Sequence, residues 1–93
     1  MRRSRPDDNQ SQVVKDLRKL GYSVLPVGQF ALGFDLIVGR NGRNFLFELK
    51  DPAKPPSARK LTKAETEFVN TWRGRVAVVT DVESIVFEVQ LWS

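Results

Sequence analysis

Between positions 8 and 20, apolar residues recur at Val13, Val14, Leu17 and Leu20, while Lys15, Asp16, Arg18 and Lys19 fill the places between them. Residues three and four apart share one face of a helix, so this spacing predicts an amphipathic helix over 8–20. Asp7 or Asp8 is placed to cap its start, and Gly21 to end it in the left-handed conformation. From Tyr22 to Val27 β-formers dominate and predict a short strand. A loop over 28–33 leads to a second strand, Phe34 to Gly39. The Asn41-Gly42 pair that follows is the strongest short hairpin signal, because both central residues of a type I′ turn need positive φ. Arg43 to Lys50 is the return strand. Leu36, Ile37 and Val38 on one strand and Phe45, Leu46 and Phe47 on the other put apolar side chains on both faces, predicting a central hairpin covered on both sides.

Pro52, Pro55 and Pro56 end that strand, since proline cannot donate to a ladder, and the basic stretch to Lys60 reads as a loop. Thr62 and Glu65 stand at capping-box spacing, with Leu61 placed as a staple, so a second helix is expected from there to about Trp72-Arg73, stopped by Gly74. Val76 to Val79 is wholly apolar, the pattern of a buried parallel strand. The segment 81–92 fits two periods. Ile85, Phe87, Val89 and Leu91 alternate as a strand would, and Val82, Ile85, Val86, Val89 and Trp92 fit a helix capped by Thr80 or Asp81. The order α-β-β-β-α-β with this open end predicts an α/β fold, one mixed sheet flanked by helices.

The chain has 93 residues, room for a single domain over 1–93 with one modest core. Residues 1–6 form a basic N-terminus expected to be disordered. No apolar stretch follows them, so neither a secretory signal nor a membrane span is expected, and a cytoplasmic, intracellular setting follows. Composition then narrows the chemistry. The chain contains no cysteine and no histidine, which excludes disulfides, thiolate nucleophiles, imidazole zinc sites and the Ser-His-Asp triad. Catalysis, if present, falls to carboxylates, lysine, hydroxyls or a bound metal. An excess of 15 basic over 11 acidic residues, net +4, favours a polyanionic partner such as nucleic acid.

The hairpin register joins these points. With a two-residue turn, Arg40 pairs with Arg43, and Asp35 falls directly opposite Glu48 in a non-hydrogen-bonded pair, Cα atoms about 4.5 Å apart. Opposed carboxylates repel, and inside apolar strands they call for a compensating charge. A divalent cation such as Mg²⁺, which favours carboxylate, water and phosphate oxygens, supplies it. Lys50 leaves the same face as Glu48 and lies opposite Gly33, whose bare Cα leaves room for a substrate; beside a bound phosphate, Lys50 can orient or deprotonate a water and offset negative charge. The Leu49 carbonyl is a further oxygen ligand. Lys54, Arg59, Lys60 and Lys63 surround the proline-rich loop and the start of the second helix, where phosphates could dock. Arg40 and Arg43 flank the hairpin tip. Trp72 and Trp92 read more readily as core or dimer-interface anchors than as stacking platforms.

Gly33-Phe34-Asp35, followed after a hairpin by Glu48-Leu49-Lys50, resembles the PD-(D/E)xK nuclease signature. The helix ending Leu17-Arg18-Lys19-Leu20-Gly21-Tyr22, the GFDLIVG and FELK strands and the LTKAETEF helix resemble its VRR-NUC branch, over about residues 7–89. The resemblance implies a restriction-endonuclease-like αβββαβ core. It also implies a Mg²⁺- or Mn²⁺-dependent DNA endonuclease, the ion held by Asp35, Glu48 and the Leu49 carbonyl, with Lys50 assisting a hydrolytic water. Two positions depart from the family pattern. Glu65 stands where a glutamine is usual, and the acid often found on the first helix has only Asp7, Asp8, Gln10 and Gln12 near its place. Stand-alone members of this branch, from phages and bacteria, resemble four-way-junction resolvases; cutting two strands symmetrically needs two active sites, which implies a homodimer. No organic cofactor is expected. A nonspecific or flap nuclease of the same fold, a non-catalytic nucleic-acid-binding module and a small adaptor for a protein partner remain as alternatives.

Overall fold

A computed structural model describes residues 9–92. The first helix, α1, spans Gln10–Lys19. Asn9 occupies its N-cap position without a side-chain capping bond, and Asp7 and Asp8 lie outside the described residues. Val13, Val14 and Leu17 are its buried stripe, as the periodicity predicts, and Gly21 takes a φ of +96° just past its end. The strand β1 is Ser23–Pro26, β2 is Leu36–Arg40 and β3 is Arg43–Leu49. The loop from β1 to β2 contains a short 3₁₀ turn at Gly28–Phe30. Asn41 and Gly42 both have positive φ, +54° and +78°, the geometry a two-residue turn demands.

A second 3₁₀ turn at Pro56–Arg59 occupies the proline-rich loop. It precedes α2, Lys63–Thr71, which opens with the expected capping box: the Thr62 hydroxyl accepts from the Glu65 N–H, and the Glu65 carboxylate accepts from the Thr62 N–H. The last strand, β4, is Val76–Val79, and α3 is Val82–Leu91. The ambiguous C-terminal segment is therefore a helix. Its start is fixed by a capping box between Asp81 and Ser84, a local device that a strand has no use for.

The four strands form one mixed sheet in the order β1-β2-β3-β4, antiparallel except for the parallel pair β3-β4. The hairpin register is the expected one, from Arg40↔Arg43 to Leu36↔Phe47. Val24, Leu36, Val38, Phe45, Phe47, Leu49 and Val79 join Val13, Val14 and Leu17 of α1 and Ile85 and Val89 of α3 in one core.

The opposite face is covered at the Glu48 end, where Glu65 of α2 reaches Lys50 and Glu48 is 2% exposed, and is more open elsewhere, so the expected covering of the hairpin on both faces is met only in part. Leu25, Ile37, Leu46 and Val76 are successive partners across all four strands. They form an apolar row on the opposite face, with Leu25 57% exposed and the other three half-buried. β4 is parallel as expected but lies at the sheet edge, and Val78 is 44% exposed. Its apolar run reads as a buried strand because sequence does not show that no fifth strand covers its edge.

Candidate active site

Asp35 and Glu48 are the only buried charged residues among those described, 8% and 2% exposed. They lie where the hairpin ladder ends. Regular pairing stops at Leu36↔Phe47, so Asp35 is not the directly paired partner of Glu48 that simple counting gives. The reason is a local twist of the chain. The Asp35 N–H donates to the Phe47 carbonyl at 2.9 Å on one side, while its carbonyl accepts from the Val27 N–H at 2.8 Å on the other. In a regular strand both groups of one residue leave the same edge. Gly33, at φ +104°, makes the turn into this twist possible.

The Asp35 side chain takes up the hydrogen bonding that the ladder gives up. Its Oδ2 accepts from the Leu49 N–H at 2.8 Å. Gly28 backs the carboxylate, since a Cβ there would sit 3.1 Å from Asp35 Oδ1. Burial pushes the Asp35 carboxyl above the usual carboxylate range, against the lowering effect of the Leu49 amide.

Glu48 is the most constrained group. Its Oε2 lies 3.3 Å from Lys50 Nζ, and its Oε1 is buried with no hydrogen-bond partner. Burial, then the neighbouring Asp35 charge and the Glu65 carboxyl, push its pKa up to about 9.

Lys50 bridges Glu48 and Glu65, the latter at 3.0 Å. Burial alone would lower its pKa, but the hydrogen bond to Glu65 and the charge of Glu48 outweigh that and raise it. It is therefore held as a cation, so of the two roles expected of it, offsetting charge fits the geometry and deprotonating water does not. Glu65, positioned by its capping box, is itself half-buried. Burial raises its pKa, but the Thr62 amide and Lys50 prevail and hold it below its ordinary value. The third carboxylate is thus where sequence places it, and it acts on Lys50.

Some expected residues lie apart from this cluster. Gln12 turns to Asp16 at 2.8 Å, and Gln10 lines a groove of about 580 Å³ with Val14, Lys15, Arg18 and Pro26. Arg40 donates to the Leu20 carbonyl and lies 4.4 Å over the Tyr22 ring, and Arg43 donates to the Trp92 carbonyl. Both arginines tie the hairpin to its neighbours. Lys60 and Lys63 are exposed at the start of α2, with Arg59 half-buried in the turn before it and Lys54 half-buried in the loop. Gly33 does not clear space for a substrate: a Cβ there would lie 2.8 Å from Phe68 Cβ. Neither tryptophan is in the core; Trp72 is 48% and Trp92 39% exposed.

Gly28 and Phe68 are site neighbours that sequence reasoning missed. A glycine opening a loop and an apolar residue in an amphipathic helix carry no signal of what they touch. No family model, curated protein or solved structure matches the chain. The functional reading therefore rests on the cluster itself.

The cluster suits a divalent cation. One carboxylate oxygen is buried without a partner, a second carboxylate neighbours it, and hard oxygen donors are what Mg²⁺ and Mn²⁺ bind. Among the described residues no three acidic side chains form a ready-made metal cage. Two carboxylates with water and phosphate oxygens are a common way to bind Mg²⁺ in enzymes that act on phosphates.

Proposed function

We propose that this chain is a metal-dependent endonuclease that hydrolyses DNA phosphodiester bonds, and that it is a VRR-NUC-like member of the PD-(D/E)xK nucleases. The observation that carries this reading is the buried, unpartnered Oε1 of Glu48 beside Asp35. Asp35, Glu48 and the Leu49 carbonyl would hold Mg²⁺ or Mn²⁺. Bound there, the ion would supply an acidified water and neutralise charge on the scissile phosphate.

The chain's own residues do the rest. Lys50, kept charged by Glu65, offsets the negative charge that develops on the phosphoryl oxygens. The Leu49 amide fixes the Asp35 carboxylate in one orientation, and Gly28 leaves space for its other oxygen. Lys60 and Lys63, exposed on the approach to Glu65, would contact the flanking phosphates, with Arg59 and Lys54 behind them. Attack of water on phosphorus with loss of the 3′ oxygen leaves a 5′-phosphate.

Branched DNA, a four-way junction first, is the proposed substrate, and a homodimer the proposed assembly. The apolar row Leu25, Ile37, Leu46, Val76 supports the dimer, because it crosses all four strands and, among the described residues, ends in a Leu25 side chain that is 57% exposed.

A second reading has its own support. Lys50 already lies against Glu48, so the cluster is partly neutralised without a metal. In that case the protein is a basic nucleic-acid-binding module with no catalysis. Incubating a labelled four-way junction and a matched linear duplex with the protein in Mg²⁺, Mn²⁺ or EDTA separates the readings. Junction cleavage that requires metal and is lost in Lys50→Ala supports the nuclease. Binding without cleavage in either metal supports the module, and equal cleavage of both DNAs removes the junction preference.

A further inference from the structure

Three aromatic rings run outward from the carboxylate cluster. Phe34, next in sequence to Asp35, stacks on Phe68 with ring centroids 5.1 Å apart and planes at 25°. Phe68 stacks in turn on Trp72, again at 5.1 Å, with planes at 18°. Glu65, Phe68 and Trp72 are spaced by three and four residues, so they share one face of α2 and its C-terminal cap. Lys50 is bonded to the first of them. At the rise of a helix, Trp72 stands about 10 Å beyond Glu65, roughly three nucleotides of a stacked strand.

Exposure grows along this stack, with Phe34 buried, Phe68 half-buried and Trp72 exposed. Phe34 is 9% exposed, Trp72 48%. The indole Nε1 sits close to Gly74, where a Cβ would meet it at 2.9 Å, so a side chain at that position would dislodge the ring. Its neighbours along the chain, Asn70, Thr71 and Arg73, are polar or cationic and all exposed. The broad apolar row of the sheet, suited to a protein partner, is formed by other strands and other residues. A lone aromatic face among polar and basic groups, in line with a phosphate site, has the chemistry of a base-stacking platform.

We propose that Trp72 stacks on an unpaired nucleobase flanking the phosphate bound at Asp35 and Glu48, so that the preferred DNA has single-stranded character at that position. This rests on the nuclease reading for the location of the phosphate. A base laid on Trp72 extends the Phe34–Phe68–Trp72 stack by one ring, and Arg73 and the lysines at the start of α2 meet the backbone on either side. A base inside an intact duplex has both faces occupied and cannot stack there.

The test is a binding measurement that needs no cleavage. In EDTA, and in a Trp92→Phe background, the remaining tryptophan reports directly as oligothymidylate, blunt duplex and duplex with a single-stranded overhang are titrated in. Single-stranded and overhang DNA are expected to quench it, and blunt duplex much less. Read by anisotropy of end-labelled DNA, Trp72→Ala should weaken single-strand binding about 5- to 150-fold while leaving blunt-duplex binding within about twofold, and Trp72→Phe should retain most of the affinity. Melting curves of both variants show whether the fold is kept; if Trp72→Ala does not fold, Trp72→Phe and Trp72→Leu, compared with each other, carry the test. Equal loss for single strand and duplex, no loss for either, or a change confined to self-association overturns the proposal. Quenching and selective loss without cleavage in Mg²⁺ would leave the platform standing and remove only the nuclease reading.

Discussion

Leu49 donates its backbone N–H to Oδ2 of Asp35 at 2.8 Å, a bond that a continued hairpin would have made to the carbonyl of residue 34. By leaving the ladder one residue early, Asp35 turns a β-sheet end into a polar cluster. Its carboxylate is oriented by the neighbouring strand, and Glu48 on that strand retains a buried oxygen with no partner.

Metal-free stability should fall as pH rises. Glu48 is pushed up to about 9 in the folded protein from an ordinary value of 4.5. Between those values the folded state binds more protons than the unfolded chain, so the stability linked to this group is greatest below about pH 4.5 and is lost toward pH 9. In EDTA the melting temperature is expected to be lower at about pH 8.5 than at about pH 5.5, and Glu48→Gln should flatten that dependence. At the higher pH, Glu48→Gln should melt above the wild type by about 4–8 °C for each kcal/mol gained. Saturating Mg²⁺ should stabilise the wild type and not the variant.

Lys50 is in salt-bridge contact with both Glu48 and Glu65 of the cluster. Removing it as Lys50→Met should lower the melting temperature in EDTA near neutral pH, because the cluster loses the cation that pairs with Glu65. The same change should tighten Mg²⁺ binding, measured by calorimetry, while lowering cleavage about a hundredfold or more. A variant that loses metal affinity along with activity would show that Lys50 supports the metal site rather than the phosphate.

Much of this architecture was legible because its signals are local. Asn41-Gly42 sets the hairpin register, Thr62 and Glu65 form the capping box, and Val13, Val14 and Leu17 define the face of the first helix. Asp35, Glu48 and Lys50 could be placed together by register alone. What escaped depends on contacts distant in sequence. The partner that needs Gly33 bare is Phe68, 35 positions away, and the fuller covering of one sheet face depends on where α1 and α3 dock. At the C-terminus both periodicities fit, and the Asp81–Ser84 capping box decides for helix.

That capping box gives its own prediction. The Ser84 N–H holds the half-buried Asp81 carboxyl below its ordinary value, so its contribution is present above the ordinary carboxylate range and is lost as pH falls through the lowered value. Asp81→Ala should cost about 1 kcal/mol, or about 4–8 °C in melting temperature, and Asp81→Ser should recover most of it. A neutral result for Asp81→Ala by thermal denaturation would mean that α3 is held by Ile85 and Val89 alone.

The open sheet face predicts self-association. The protein should sediment as a dimer at micromolar concentration, and Leu25→Glu, at a position 57% exposed and so tolerant of charge, should give a folded monomer. A wild-type monomer at that concentration would leave the apolar row without a second copy to cover it.

Cleavage of supercoiled plasmid and of a four-way junction by the wild type and Glu48→Gln, each in Mg²⁺, Mn²⁺ and EDTA, tests the metal-dependent site most directly. The expected result is product with 5′-phosphate ends from the wild type in either metal, none in EDTA, and a loss of about a hundredfold or more in a folded Glu48→Gln variant. Cleavage that survives EDTA, or that Glu48→Gln leaves unchanged, would contradict the account.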